Sequence, residues 1–266
     1  AQITVFDVGN SMLPLAAAIG EKYGAMHYDI GADNMEIGLA PLSHLDSLAE
    51  RTWAYSWIEQ CFELQTNRLP SPKEREAIQK ALDHLSLAAK NERSVGHFVN
   101  AVQDQTVREA MAFYQLGSPG GLVDAEEDSL SNASLNVFEM KKLITQAESV
   151  YLPIITYLVK QFERGLNGNP AMLFIDEAWI FLKNTAMAKF IEEWLRTLAK
   201  SNCIIVLASQ SLVELVNSGF LPILMESTAT KVYLANVEAK NPISEAFYLN
   251  CGFTKTETGL VSRMIR

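Results

Sequence analysis

Cysteine is scarce in this chain of 266 residues: Cys61, Cys203 and Cys251 are the only three, widely spaced and odd in number. They read as reduced, mostly buried thiols of a cytosolic protein rather than as a disulfide framework. Positive charge is also in short supply. Lys and Arg total 22 against 31 Asp and Glu, a net charge of −9. Extended nucleic-acid surfaces carry a basic balance, so direct DNA binding by this chain is disfavoured. No long apolar run occurs. The most apolar stretch, Tyr151 to Val159, is nine residues and contains Pro153, about half of the ~20 needed to span a bilayer. No signal peptide opens the chain, and no repeat or low-complexity segment is evident. His27, His44, His84 and His97 show no metal-ligand spacing, and no G-x-S-x-G elbow is present. A G-x-x-x-x-G-K-[ST] phosphate loop is absent as well.

The composition is that of an ordinary globular protein, 48% apolar and 20% charged. Its length suits one large domain or a domain with a subdomain. The most informative stretch is Ala171-Met172-Leu173-Phe174-Ile175-Asp176-Glu177-Ala178-Trp179. A buried-type apolar strand ends there in two adjacent carboxylates. In a parallel α/β sheet this puts Asp176 and Glu177 at the carboxyl end of a strand, where such sheets bind ligands. Asp176 there can hold Mg²⁺, and Glu177 can orient or deprotonate a water, which is the Walker B pattern of NTP hydrolysis. The bland alternative is a pair of solvated acids at a helix start, favoured by the helix dipole.

The surrounding pattern supports a parallel sheet. Strands are expected at Ile3–Phe6, Met26–Ile30, Leu135–Glu139, 171–175, Cys203–Ala208 and Thr230–Leu234, alternating with helices. The run Cys203–Ala208 is continuously apolar, as in a strand covered on both faces. Ser11 is expected to cap the first helix, and Gly31-Ala32-Asp33-Asn34 to form a turn. From Asp46 to Leu116 the sequence reads as helix only, with Trp53, Trp57, Cys61 and Leu64 at helical spacing and caps at Ser71, Ser94 and Thr106. This predicts a core of residues 1–45 and 117–266 interrupted by a helical subdomain at 46–116. Gly117-Ser118-Pro119-Gly120-Gly121 reads as a flexible loop, and the acidic run Asp124 to Asp128 continues it. A helix after the acidic pair carries Met187, Phe190, Ile191, Trp194 and Leu198 on one face.

Further candidates stand at the same sheet edge. Gln210 follows the strand 203–208, where its amide can bond both a γ-phosphate oxygen and the attacking water; the alternative is a plain helix-start residue. Asp7 ends the first strand and could reach Mg²⁺ or nucleotide through water, although a turn-forming Asp before Gly9 is the stronger reading. Glu139 is weighed in the same way. Arg196 and Lys200, one turn apart, could stabilise transition-state charge in a neighbouring subunit, against a reading as a solvated helix end. Arg263 and Arg266 are weaker candidates of the same kind.

These residues together are similar to the TrbE/CagE-type ATPases of bacterial conjugation and type IV secretion. The resemblance rests on Phe6-Asp7-Val8-Gly9-Asn10-Ser11, on Leu122-Val123-Asp124-Ala125-Glu126-Glu127-Asp128 before Val137-Phe138-Glu139-Met140, and on 174–179. It rests also on Trp194 through Asn202 and on Ala208-Ser209-Gln210-Ser211, in the expected order along the whole chain. It implies a RecA-like P-loop NTPase core, mostly parallel, with an inserted all-α subdomain. It implies ATP and Mg²⁺ as cofactors, with Asp176 and Glu177 as the Walker B pair and Gln210 as a sensor-like glutamine. It also implies a hexamer or dimer, peripheral at the cytoplasmic face of the inner membrane, beside other secretion ATPases and the inner-membrane complex, where hydrolysis powers pilus assembly and substrate transfer. Two positions depart from the pattern. Ala199-Lys200 stands where Arg-Lys is common, and Asn10 where a basic residue is common. The chain opens directly on a strand and without Met, which points to a piece of a longer protein whose phosphate loop lies upstream; nucleotide affinity of these residues alone is then expected to be very weak. Two other readings compete: a nucleotide-free assembly and docking module, and a DNA-translocating coupling ATPase, which the charge of −9 disfavours.

Overall fold

The computed structural model of the chain describes residues 1–31, 37–182, 185–210 and 212–264. The turn expected at 32–34, Ser211, Arg266 and the side chains of Phe190 and Ala199 lie outside the described residues.

Elements alternate from the start. Strand β1 (Gln2–Asp7) leads to α1 (Leu13–Ile19), then β2 (Ala25–Asp29). Helices α2 (Leu48–Thr66), α3 (Pro72–Leu87), α4 (Val95–Ala101) and α5 (Gln105–Ala112) follow without an intervening strand. Strand β3 (Leu135–Glu139) and the long α6 (Glu148–Gly165) come next. Then follow β4 (Ala171–Ile175), α7 (Trp179–Leu182), α8 (Thr185–Thr197) and β5 (Cys203–Leu207). Helices α9 (Leu212–Asn217), α10 (Leu221–Ser227), α11 (Pro242–Asn250) and α12 (Lys255–Val261) close the chain. None of the described helices is long and apolar enough to cross a membrane.

The chain divides into two compact units, residues 1–8 with 166–266, and residues 9–165. In the first, β1, β4 and β5 are hydrogen-bonded neighbours in that order, all parallel. The register sets Phe6 against Ile175 and Ile175 against Leu207. One face of α8 buries Met187, Ile191 and Trp194, and Leu198 just beyond it, each at 6% exposure or less. Phe181 of α7 lies against Phe6 with ring centroids 5.8 Å apart. Each such buried side chain stabilises the fold by about 1.5–3 kcal/mol relative to an exposed one.

In the second unit β2 and β3 form a parallel pair, Ala25 to Asp29 against Leu135 to Glu139. Its helices pack around Trp57, Ile58, Cys61 and Phe62, all essentially inaccessible. The Trp57 indole donates to the carbonyl of Pro153 at 3.1 Å, tying α2 to α6 inside the core. Ser71 and Glu74 form a complete capping box at the start of α3, with Pro72 at the first turn. The Arg68 guanidinium, bonded to both Glu74 oxygens, holds that carboxyl down to about 2.

Several expectations need correction. Thr230–Leu234 forms no strand. Its β-branched and aromatic composition suits one, but a strand needs a ladder partner. Tyr233 instead enters an aromatic cluster with Phe253 (4.6 Å) and Tyr248 (5.9 Å), while Val232 and Leu234 stay exposed. Strand β5 is not covered on both faces, since Ile204 is 61% exposed. Helix α1 begins at Met12 without a side-chain cap, so Ser11 does not fill that role. The cap of α5 is Asp104, two residues before Thr106; its carboxylate accepts from the backbone of Thr106 and Val107, a stronger acceptor than a hydroxyl.

The glycine-rich segment is not a slack loop. Gly121 packs against the backbone of 115–116, and a Cβ there would meet the Gln115 carbonyl at 2.5 Å. The acidic run after it is pinned by its own carboxylates. Asp124 accepts from Gly96 N (2.6 Å) and Leu116 N (2.9 Å). Asp128 accepts from Ala40 N (3.1 Å), from the Tyr157 hydroxyl and from Gln161. Burial, with Asp128 beside it, pushes the Tyr157 phenol far up. Because Gly121 meets backbone that cannot swing aside, Gly121→Ala is expected to destabilise the chain by about 1–3 kcal/mol, read as a lower urea midpoint at unchanged slope.

Candidate functional site

The site is built by strand register. β4 ends at Ile175, and the backbone N–H of Asp176 still donates to Phe6 O at 2.9 Å, extending the ladder by one residue. Asp7 is the last residue of β1 and follows Phe6, the partner of Ile175. Asp7 and Asp176 therefore stand at the same level on neighbouring parallel strands. On the other side Ala208 N donates to Ile175 O (2.9 Å) and Ala178 N to Ala208 O (2.8 Å), so the chain leaves β4 and β5 at one edge. Gln210 lies just beyond that edge, exposed, in a bend before α9. The first unit thus brings Asp7, Asp176, Glu177 and Gln210 to the carboxyl ends of three adjacent strands, as the sequence pattern anticipated.

The two acids of the pair differ in surroundings. Asp176 accepts from the backbone N–H of Glu177 at 3.0 Å and also from that of Val8. Its carboxyl is nevertheless raised above the ordinary value. Burial is the main cause, with the Glu177 and Asp7 charges adding to it and the two N–H groups opposing it. Asp7 is fully buried. Glu177 is half-buried and sits in the left-handed region at φ 48°, a conformation that costs a non-glycine residue of order 1 kcal/mol and clusters at functional sites. Its carbonyl accepts from Ile180 N at 2.9 Å, which closes the turn into α7. Its side chain is held as well, because the Trp179 indole N–H donates to Glu177 Oε2 at 2.5 Å. Sequence reasoning missed this role of Trp179, for which the Glu-x-Trp spacing is the only signal.

Glu139 has a different job. Fully buried at the end of β3, it accepts from the backbone of Gly9 (3.0 Å), Asn10 and Lys141 (2.8 Å). Gly9 and Asn10 both have positive φ, 94° and 60°. Glu139 is thus an anion seated in a ring of backbone donors, and it shapes that turn.

The cations stand elsewhere. Arg196, at the end of α8, is paired with Glu192 at 2.6 Å and its side chain is 65% exposed. Lys200 lies in the 3-10 turn Leu198–Ser201 that delivers the chain to the amino end of β5. A five-residue strand spans roughly 16 Å, so the connection places both at the end of β5 away from Asp176 and Glu177. Arg263 is exposed near the end of the chain. Among the described residues no group of three or more His, Cys, Asp or Glu forms a metal cage. Asp176 with its acidic neighbours still suits Mg²⁺, which takes one or two carboxylates and keeps waters.

Parallel strands carrying carboxylates and an amide beyond their carboxyl ends define an α/β protein of the P-loop NTPase class. Its sequence matches the family described as the TraG P-loop domain over residues 104–260, more than half of the chain, and the chain belongs to that family. It is 37% identical to a probable conjugal transfer protein TrbE of Sinorhizobium fredii, over 98% of this chain and 39% of that protein. With the conjugal transfer protein TrbE of Rhizobium radiobacter the identity is 36%, over 100% of this chain and 32% of the relative. The type IV secretion system protein virB4 of Bartonella quintana is 23% identical over 84% of this chain and 29% of its own length. The chain therefore spans two fifths or less of the curated relatives it matches. The solved structure of VirB4 of Thermoanaerobacter pseudethanolicus superposes with a TM-score of 0.72 at 14% identity, covering 100% of this chain and 77% of that one, a likeness of fold.

Asp176 provides a direct test of the site's electrostatics. A carboxyl raised in the folded state is penalised wherever it must ionise, so the penalty is complete above its folded value and vanishes as pH falls below the ordinary 3.8. Asp176→Asn, which keeps an acceptor for the two N–H groups, is expected to resist urea better than the parent chain at neutral pH. That advantage should shrink as pH is lowered toward 3.8.

Proposed function

We propose that this chain is the motor portion of an ATPase of conjugation or type IV secretion, hydrolysing ATP to power pilus assembly and substrate transfer. The observation that carries this reading is the β1-β4-β5 register, which sets Asp7 beside Asp176 and carries Glu177 and Gln210 to the same edge. The names of the relatives, conjugal transfer protein and type IV secretion system protein, support the biological setting.

In this reading Asp176 holds Mg²⁺ through water, with Asp7 one shell further out, and the ion when bound offsets charge on the phosphates. Glu177 orients the attacking water and takes its proton. Gln210, on the neighbouring strand, bonds the γ-phosphate and the same water, so that loss of the phosphate is felt at the start of α9. The phosphate cradle is assigned to polypeptide outside residues 1–266, because no G-x-x-x-x-G-K-[ST] occurs within them. The unbroken helical run from α2 to α5 supports an inserted subdomain at 46–116 on a core of 1–45 and 117–266. The assembly is a hexamer or dimer at the cytoplasmic face of the inner membrane, beside other ATPases of the system and its inner-membrane complex.

Arg196 and Lys200 fit this reading as groups that act on a neighbouring copy, because the crossover places them away from their own chain's Glu177. In the hydrolysing protein, Glu177→Gln should abolish turnover while nucleotide binding persists. Arg196→Ala should be similarly inactive alone. Mixed oligomers of the two variants should regain hydrolysis, since some interfaces then combine an intact Glu177 with an intact Arg196. Unchanged hydrolysis in Glu177→Gln would refute the catalytic role, and no recovery on mixing would refute action in trans.

A further inference from the structure

Glu177 poses a positioning problem that the strand register does not solve. Its backbone lies in the left-handed region, outside both β4 and α7, so neither element dictates where its side chain goes. Fixing a long acidic side chain costs up to about 1.5–2 kcal/mol of rotamer freedom. A carboxylate that orients a water must nonetheless be held to within a fraction of an ångström. Asp176 does not hold it, being occupied by the backbone N–H groups of Glu177 and Val8. The group that touches the Glu177 carboxylate is the indole of Trp179, two residues on, with Nε1–H donating to Oε2 at 2.5 Å.

We propose that Trp179 is the positioning residue of Glu177, its indole N–H fixing the carboxylate in the orientation used to align the attacking water. The proposal rests on Glu177 being that water-orienting group. The chemistry of the donor suits the task. An indole N–H donates and cannot accept, and it does not ionise in the working range. It therefore constrains one oxygen of a general base without competing for the proton that the base must take. A lysine or arginine in its place would constrain the carboxylate equally well but would also draw its negative charge into an ion pair. The bond to an ionised acceptor is of the stronger, charge-assisted kind. The local fold sets the spacing: the left-handed residue, closed by the Ile180 N–H to Glu177 carbonyl bond, ends the strand and starts α7 at Trp179 itself. The ring is half-buried, so it is held by its surroundings and can in turn hold its neighbour.

The test has two arms. The first observes the bond itself, without hydrolysis. The chain has four tryptophans, Trp53, Trp57, Trp179 and Trp194, whose indole N–H signals are resolved in a ¹⁵N–¹H correlation spectrum. Trp179→Phe identifies the signal of Trp179 by its loss. In Glu177→Ala, which leaves the indole in place, that signal should move upfield as its carboxylate partner disappears, while the other three stay put. A Trp179 signal that does not move overturns the proposal. The second arm uses the hydrolysing protein. Trp179→Phe keeps the aromatic body and removes only the donor. It should lower kcat by about tenfold, with KM for ATP within about twofold. Combined with Glu177→Gln it should add no further loss, because the tryptophan acts through the glutamate. An unchanged or raised kcat, or losses that multiply, overturns the proposal. If Glu177→Gln itself leaves hydrolysis intact, the reading of Glu177 fails and the role of Trp179 fails with it. If Glu177→Gln is inactive but Trp179→Phe matches the parent, only the positioning role is lost.

Discussion

The parallel pairing of β4 with β1 on one side and β5 on the other is the constraint on which the candidate site depends. Side chains alternate along a strand, so a slip of one residue in either ladder would turn the acids to the opposite face. With Phe6 and Leu207 both opposite Ile175, three strand ends finish together. The residues just beyond them then share one edge. The apolar runs before those ends keep the register, because each slipped alternative would expose Phe6, Leu173 or Ile175, all now fully buried. The cost of gathering acids there is visible in Asp176, whose ionisation burial and its two acidic neighbours oppose.

Acidic residues serve two separate purposes in this chain. At the β4 edge they are gathered close enough to repel one another, an arrangement suited to a cation. Elsewhere the same residue types act as acceptors for backbone N–H groups. Glu139 closes the Gly9–Asn10 turn, Asp124 joins the start of α4 to the loop after α5, and Asp128 ties the loop to α6. Ion pairs with Glu50 bring Lys160 and Arg164 of α6 to α2, with both cations also over the Trp53 ring. The surplus of acids thus owes as much to loop anchoring as to the candidate site.

Much of this was legible in the residues. The strand Ala171–Ile175 and its acidic pair, the strand Leu135–Glu139, and the helical run between β2 and β3 could all be read from periodicity and caps. Ser71, with Pro72 and Glu74 after it, is a local signal that needs no tertiary context. The failures share a cause. Thr230–Leu234 has the composition of a strand, and whether it pairs is decided by what lies beside it. Gly120 and Gly121 look like slack, but close packing against Tyr114 and Gln115 is what requires their lack of a Cβ. Trp179 stands out in the sequence only as a member of the strand-end motif, because an indole bonded to a neighbouring carboxylate has the same sequence as an indole buried for its area.

By itself the sequence determined the element types, the parallel α/β class and the identity of the acidic pair, because these follow from short-range periodicity and from which side chains can end a buried strand. Only the tertiary structure decided which carboxylates stand together and which serve the backbone. It set Asp7 beside Asp176, enclosed Glu139 among amides, and put Arg196 and Lys200 at the far end of β5. Those outcomes depend on the register between strands and on the path of each crossover, and both bring together residues separated by more than a hundred positions in the chain.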